Sequence, residues 1–247
     1  MKKKNYINDV NNDYERCLFL NKILQILFYL SIVLSFTLCF KNIEIICITL
    51  IILHLAHFII EIINNLFLFN KAEYERRKTN LANAFNTNLT EKKTKNYYNN
   101  KEKHTIKKYF INTFESVFFT KNNLNKGLLW ESLKTMIEIV IWLIIILNVN
   151  DKNIVLSITQ TIFSAEILEA YIKYLYYLSK ANRIYDDFYC NLITKSYLQE
   201  SIPILLNCCI DYECLKASTH ILLSKKIFDN NNSTWSNEWD IQKKKIK

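Results

Sequence analysis

His54, His57 and Glu61 are the residues whose types and spacing come closest to suggesting chemistry. Separations of three and four residues put both imidazoles and the carboxylate on one face of a helix. Asn64 or Asn65 extends that stripe, and the surrounding residues are mostly Ile, Leu and Phe. A polar stripe in such a setting fits a pore lining or gate, or a hydrogen-bond network between helices. His-x-x-His-x-x-x-Glu also offers metal donors, but three donors on one helix make a weak metal site, and neither metal nor cofactor is expected. Gln160, Glu166 and Glu169 interrupt a later apolar run in the same way. Glu166 and Glu169 share a helical face with Lys173, while Gln160 falls on another.

Arg76-Arg77-Lys78 is the sharpest basic cluster. Such a group can hold a nucleotide or nucleic acid, or meet anionic lipid headgroups beside a membrane helix. Catalysis is not expected, because no nucleophile, base and electrophile form a recognisable local motif. Asp186-Asp187 with Arg183 fits a helix cap or bridge. The single glycine, Gly127, rules out a glycine-rich phosphate loop, and with the single proline, Pro203, it argues against sheets with tight turns. Seven cysteines without a CxxC pair read as packed thiols in a reducing compartment.

The elements that must carry these residues are long helices. Apolar residues crowd into 23–40, 45–69, 136–147 and 154–178. The first run has eighteen residues without a formal charge, near the length that crosses about 30 Å of hydrocarbon. The third reaches crossing length if it starts near Trp130. Short polar links at 41–44 and 148–153 make each pair of helices an antiparallel hairpin. The expected fold is therefore an all-α integral membrane protein. It has four transmembrane helices in two hairpins, with a helical cytoplasmic domain. Its parts are an N-terminal segment (1–22), a first hairpin (23–69), a basic helical insertion (70–129), a second hairpin (130–178) and a C-terminal helical region (179–247).

Net charge is +9, and its placement gives an orientation. Residues 70–130 hold thirteen Lys or Arg against five Asp or Glu, while the two hairpin links carry only Lys41 and Lys152 as basic residues. Because Lys and Arg favour the inner face, both termini and the insertion are expected in the cytoplasm. Within those parts, the second helix should continue to about Phe85, for want of a breaker. An amphipathic run covers 104–119, and Pro203 should bend or restart a helix. Residues 202–210 are assigned to a protein core. A further helix is expected over 211–227, then a polar break at 229–233 before Trp235 and Trp239.

The whole resembles the small four-helix membrane effectors associated with bacterial nucleotide-signalling and anti-phage defence systems. The resemblance rests on Ala72-Glu73-Tyr74-Glu75-Arg76-Arg77 with Leu81-Ala82-Asn83-Ala84-Phe85, and on Asn96-Tyr97-Tyr98-Asn99-Asn100. It continues through Phe114-Glu115-Ser116-Val117-Phe118-Phe119-Thr120, then Ile227-Phe228 and Glu238-Trp239. What it implies is a homo-oligomer in the bacterial inner membrane that causes leakage once a partner system senses infection. A nucleotide second messenger, a nucleic acid or a protein would bring the signal, and membrane lipids would surround the helices. Arg76, Arg77 and Lys78, with Tyr97, Tyr98 and Asn99, are candidate contacts for that signal or for lipid. A non-permeating membrane sensor or scaffold, recruiting a partner through its cytoplasmic helices, is the alternative.

The orientation is checked by cysteine accessibility. A single cysteine placed near residue 92, in a background otherwise free of cysteine, should react with a membrane-impermeant reagent only after the cells are opened.

Overall fold

The computed structural model describes residues 7–38, 44–92, 94, 95, 98, 102–148, 167–194 and 199–246. Most of these form helices; a two-residue ladder pairs Ile7 with Lys95 and Asn8 with Thr94, and short irregular links join the rest. The chain divides into two compact units. One comprises Met1–Tyr14, Asn70–Leu128 and Tyr174–Lys247; the other comprises Glu15–Phe69 and Leu129–Lys173.

The second unit draws on helix α1 (Asn11–Leu38), helix α2 (Glu44–Ile62) and a π-helical stretch, Ile63–Phe69, that continues α2. Helical backbone then runs on through α3 (Asn70–Phe85), in keeping with the missing breaker. Two stretches, Asn11–Ser35 and Glu44–Phe85, are long and apolar enough to cross a membrane. The first begins well before the residue 23 expected from sequence, because Asp13, Glu15, Arg16 and Lys22 do not stop the helix.

Large apolar side chains dominate the surface of this unit. Ile45 is 73% exposed and Leu147 81%, and Ile51, Phe58, Phe67, Trp130 and Ile141 are exposed as well. Buried positions include the small or polar Ser31, Ser35, Asn64 and Thr135, beside Cys17, Leu50 and Phe69. Ser31 donates its hydroxyl proton to the Leu27 carbonyl at 2.8 Å, within its own helix. Small side chains at such positions allow close helix packing. Isolated exposed apolar residues are ordinary in any protein, but many large ones together mark a surface that meets a membrane or another protein.

The first unit is built the ordinary way. Its core is aromatic: Phe110, Phe114, Phe118, Tyr177, Phe188, Tyr212 and Trp239 are buried together with Leu192 and Leu205. Helix α4 (Ile106–Asn148) supplies the Phe face, α5 (Ile167–Tyr189) supplies Tyr177 and Phe188, and α6 (Ile202–Thr219) supplies Leu205 and Tyr212. The ring of Phe114 meets Trp239 edge-on at 5.1 Å and lies parallel to Phe188 at 5.5 Å, arrangements that aromatic quadrupoles favour.

Four local expectations change, the first being the helix over 211–227, which is instead divided between a helix ending at Thr219 and another starting at Lys225. The amphipathic run at 104–119 is not separate from the third apolar segment, since α4 carries both as one helix of 43 residues. Asp229–Ser233 is not a break, because α7 (Lys225–Lys243) passes straight through it. Trp235 and Trp239, one turn apart, anchor that helix on the Phe face of α4, and Asn231 folds back to donate to the Ile227 carbonyl. Residues 202–210 enter the core through Leu205, Cys208 and Cys209, with Ile202 packed against it, and leave Ile204, Leu206 and Ile210 exposed. Pro203 sits in the first turn of α6, where its missing N–H breaks no hydrogen bond.

A chain with one glycine must end helices in other ways. Asn86 takes the left-handed conformation (φ 55°) after α3, and Thr87 N–H bonds back to the Ala82 carbonyl at 3.1 Å. His220 does the same after α6, with φ 52°. Gly127 itself lies inside α4, where a Cβ would stand 2.6 Å from the Tyr174 hydroxyl. That hydroxyl donates to the Leu124 carbonyl at 2.6 Å.

Replacing a helical glycine by alanine ordinarily stabilises by about 1 kcal/mol. G127A should instead lower the melting temperature, because Tyr174 must give up its position. In a Y174F background the same change should turn stabilising, and melting curves of the four proteins in detergent test both signs.

Candidate functional site

The polar stripe of the second unit lies on α2 and its π-helical continuation. His54, His57, Glu61 and Asn65 are all partly exposed. The His54 ring nitrogen Nδ1 lies 2.8 Å from the Leu50 carbonyl, so this imidazole bonds to its own helix. His57 Nδ1 stands 3.9 Å from the Glu61 carboxylate, and the two side chains are 25% and 27% exposed. The structure thus brings His57 and Glu61 together on one face.

Asn64, and not Asn65, is the asparagine that turns inward. Its amide donates to the Asn21 side chain at 2.5 Å and to the Cys17 carbonyl at 3.4 Å, both on α1. A π-helical turn holds more residues than an α-helical turn, so the seven residues Ile63–Phe69 rotate the stripe out of its α-helical register. Of the second acidic group, Glu169 is exposed and pairs with Lys173 at 2.7 Å. Gln160 and Glu166 lie outside the described residues.

The basic trio splits by position. Lys78 lies over the Tyr74 ring at 4.3 Å and also stands 3.9 Å from Glu75, both near the surface, and Arg77 is partly exposed. Arg76 is buried inside the first unit. Its Nε donates to Glu73 at 2.8 Å, and one terminal nitrogen donates to Glu213 of α6. Glu73 in turn accepts from Lys216 at 2.8 Å and from the Tyr14 hydroxyl at 2.5 Å. Two carboxylates and two cations are thus enclosed as a balanced set. Arg76 therefore faces carboxylates, where the basic cluster in the sequence suggested a surface contact. Tyr98 is partly buried, and Tyr97 and Asn99 fall outside the described residues.

Electrostatics decides which charge states persist there. Burial alone would push the Glu73 carboxyl up. Lys216 and Arg76, with hydrogen bonds from Lys216 and Tyr14, overcome that and hold it at about 2. Burial works against the Arg76 charge too, but Glu73 and Glu213 hold the guanidinium well above its ordinary value. The Lys216 amine is pushed down, by burial first and then by Arg76, against the pull of Glu73. Around the set, Tyr212 shares a 2.8 Å hydrogen bond with Thr120, and burial raises its hydroxyl far beyond physiological pH. The arrangement fixes α3 against α6.

The two buried thiols of α6 are disfavoured as nucleophiles. No disulfide joins the described cysteines, and Cys208 is pushed up to about 11 by burial with help from Asp187 and Asp211. Cys209 is raised further for the same first reason. Among the described residues no three His, Cys, Asp or Glu side chains gather as a metal group. Sequence reasoning missed Glu73, Glu213, Lys216 and Tyr14. The available signal was a pair of acid–base spacings of three residues, Glu73 to Arg76 and Glu213 to Lys216, each on a helix with an apolar face.

Glu73 titrates lower in the folded chain than unfolded, so its stabilisation exists above about pH 4.5 and is lost as pH falls toward 2. E73Q should remove that acid-side loss and cost about 3–5 kcal/mol at pH 7, the usual penalty for breaking a buried pair. E73Q with K216M should cost less than the two single changes added together. Chemical unfolding at several pH values, followed by near-ultraviolet dichroism of the aromatic core, measures each quantity.

Compared with family models, curated proteins and solved structures, the chain shows no match.

Proposed function

We propose that this chain is a regulated membrane-disrupting effector of the bacterial inner membrane, forming a pore as a homo-oligomer in anti-phage defence. The observation that carries the reading is the His57–Glu61 pair, partly exposed on a helix whose exposed residues include Ile48, Ile51, Ile52, Leu55, Phe58 and Ile59. An ionisable pair facing lipid is costly, so such groups turn toward other helices or water. Association of several copies around this stripe would meet that need and create a polar path between them.

Further features support the membrane part of the proposal. Apolar exposure continues along α4 from Leu129 to Leu147 and along the start of α5 at Leu168 and Ile172, where the third and fourth crossings would lie. The excess of Lys and Arg in residues 70–130 would keep that region and both termini on the cytoplasmic side. Signal reception would then fall to the first unit, whose α3 is continuous in backbone with the candidate span of α2. The defence setting and its nucleotide, nucleic-acid or protein signal come from the resemblance in residues 72–85, 96–100 and 114–120.

A non-permeating sensor or scaffold is the second reading. It is favoured by the satisfaction of His54 within its own helix, which leaves less demand for water or a partner.

Vesicles of bacterial lipid holding the purified chain and a fluorescent dye separate the two. The effector reading expects dye release that rises at least about tenfold when cell extract from infected bacteria is added, and altered conductance in E61Q and H57A without loss of assembly. An inserted, oligomeric chain that never released dye under those conditions would leave the scaffold standing.

A further inference from the structure

The second unit holds a further ionisable side chain outside the α2 stripe. Glu138 lies on α4, partly exposed, and its carboxylate stands 3.4 Å from the Tyr29 hydroxyl of α1. Thr135, one turn earlier on the same face, is buried, while Leu133, Ile137, Val140 and Ile141 are exposed. Glu138 is thus turned toward α1 and away from the broad apolar surface of α4. Lys134 and Glu131 precede it at intervals of about one turn, so this face carries two carboxylates and one ammonium.

Register along α1 fixes the height of Glu138. Asn64 bonds to Asn21 and to the Cys17 carbonyl, which sets the far end of α2 beside the first half of α1. Only five residues separate Leu38 from Glu44, too few for the two helices to run parallel from that contact. His57 lies seven residues before Asn64, and Tyr29 lies eight residues after Asn21. At a helical rise of about 1.5 Å per residue, both stand roughly 10–12 Å beyond the asparagine contact. The Tyr29–Glu138 contact therefore brings a second carboxylate to the height of the His57–Glu61 pair, from a helix remote in sequence.

We propose that Glu138 is a specificity-determining residue of this chain: with Glu61 it forms a layer of carboxylates that passes cations in preference to anions. The inference rests on the permeating reading above, and adds to it the sign of the permeant charge and a residue outside the α2 stripe. Carboxylates set around a narrow polar path attract cations and repel anions. In an oligomer the layer repeats in every copy and becomes a ring. Ionisable groups at such a depth are costly unless they face one another or water, which is the environment a path supplies.

Planar bilayers holding the purified chain, activated with the infected-cell extract, test this under a potassium chloride gradient. The reversal potential should lie toward that of potassium. E138Q, which keeps the shape of the side chain, should lower the potassium-to-chloride permeability ratio at least about threefold, the worth of one nearby unit charge in water. E138D keeps the carboxylate and should hold the ratio within about twofold. A current indifferent to the sign of the ion, or a ratio unchanged in E138Q, would overturn the proposal and leave the pore reading intact. Absence of any current would remove both. A second measurement needs no current and no E138Q protein. In a background free of cysteine and with Glu61 retained, E138C should react faster with a cationic methanethiosulfonate than with an anionic one. I141C, on the apolar surface of α4, should react slowly with both. Equal protection of the two positions would make the Tyr29–Glu138 contact a dry packing contact and overturn the role assigned to Glu138.

Discussion

Charge balance inside the first unit constrains the rest of that unit. Glu73 and Arg76 on α3 face Glu213 and Lys216 on α6, and all four are largely removed from water. Desolvating any one of them alone would cost several kcal/mol, roughly the margin by which a domain is stable. Together they neutralise one another, with Tyr14 adding a hydrogen bond to Glu73. Sliding α3 along α6 by one turn would separate the partners and leave charges buried without counterparts. The hydrophobic core tolerates small shifts; the ion set does not. Unpartnered buried atoms remain at its edge, on Arg76, Glu213, Asn80 and Tyr177, so the set is balanced in charge without being saturated in hydrogen bonds.

The second unit exposes the kind of side chain that the first unit buries. Ile, Leu and Phe line its outside, while Ser31, Ser35, Asn64 and Thr135 are enclosed. Water would penalise that surface, whereas hydrocarbon would not, and in hydrocarbon the polar side chains are the ones that need partners. Asn64 finds its partners in Asn21 and the Cys17 carbonyl. Asn64 is the second residue of the π-helical stretch, whose wider turn differs in register from the α-helix before it. His57 and Glu61 have one another but remain partly exposed.

Much of the helical layout was legible because it depends on local composition. Long apolar runs, one glycine and one proline left few ways to build anything but helices, and the absence of a breaker carried α2 on to Phe85. Boundaries failed where packing overrides propensity. Asp229–Ser233 looks like a loop, yet Trp235 and Trp239 pull it onto Phe114, Phe118 and Phe119. Inside α4, Asn123 bonds both ways with the backbone of Ser224, donating at 2.9 Å and accepting at 3.2 Å.

The sequence by itself determined periodicity and polarity: which stretches are helical, which are too apolar for water, and that His54, His57 and Glu61 share a face. Those follow from a 3.6-residue repeat and side-chain transfer preferences, which need no knowledge of neighbours. Only the tertiary structure decided that Arg76 faces carboxylates and not solvent, and that Asn64 and not Asn65 turns inward. Each of those depends on a side chain or carbonyl distant in sequence, and electrostatic pairing at close range is set by distances that spacing along the chain does not encode.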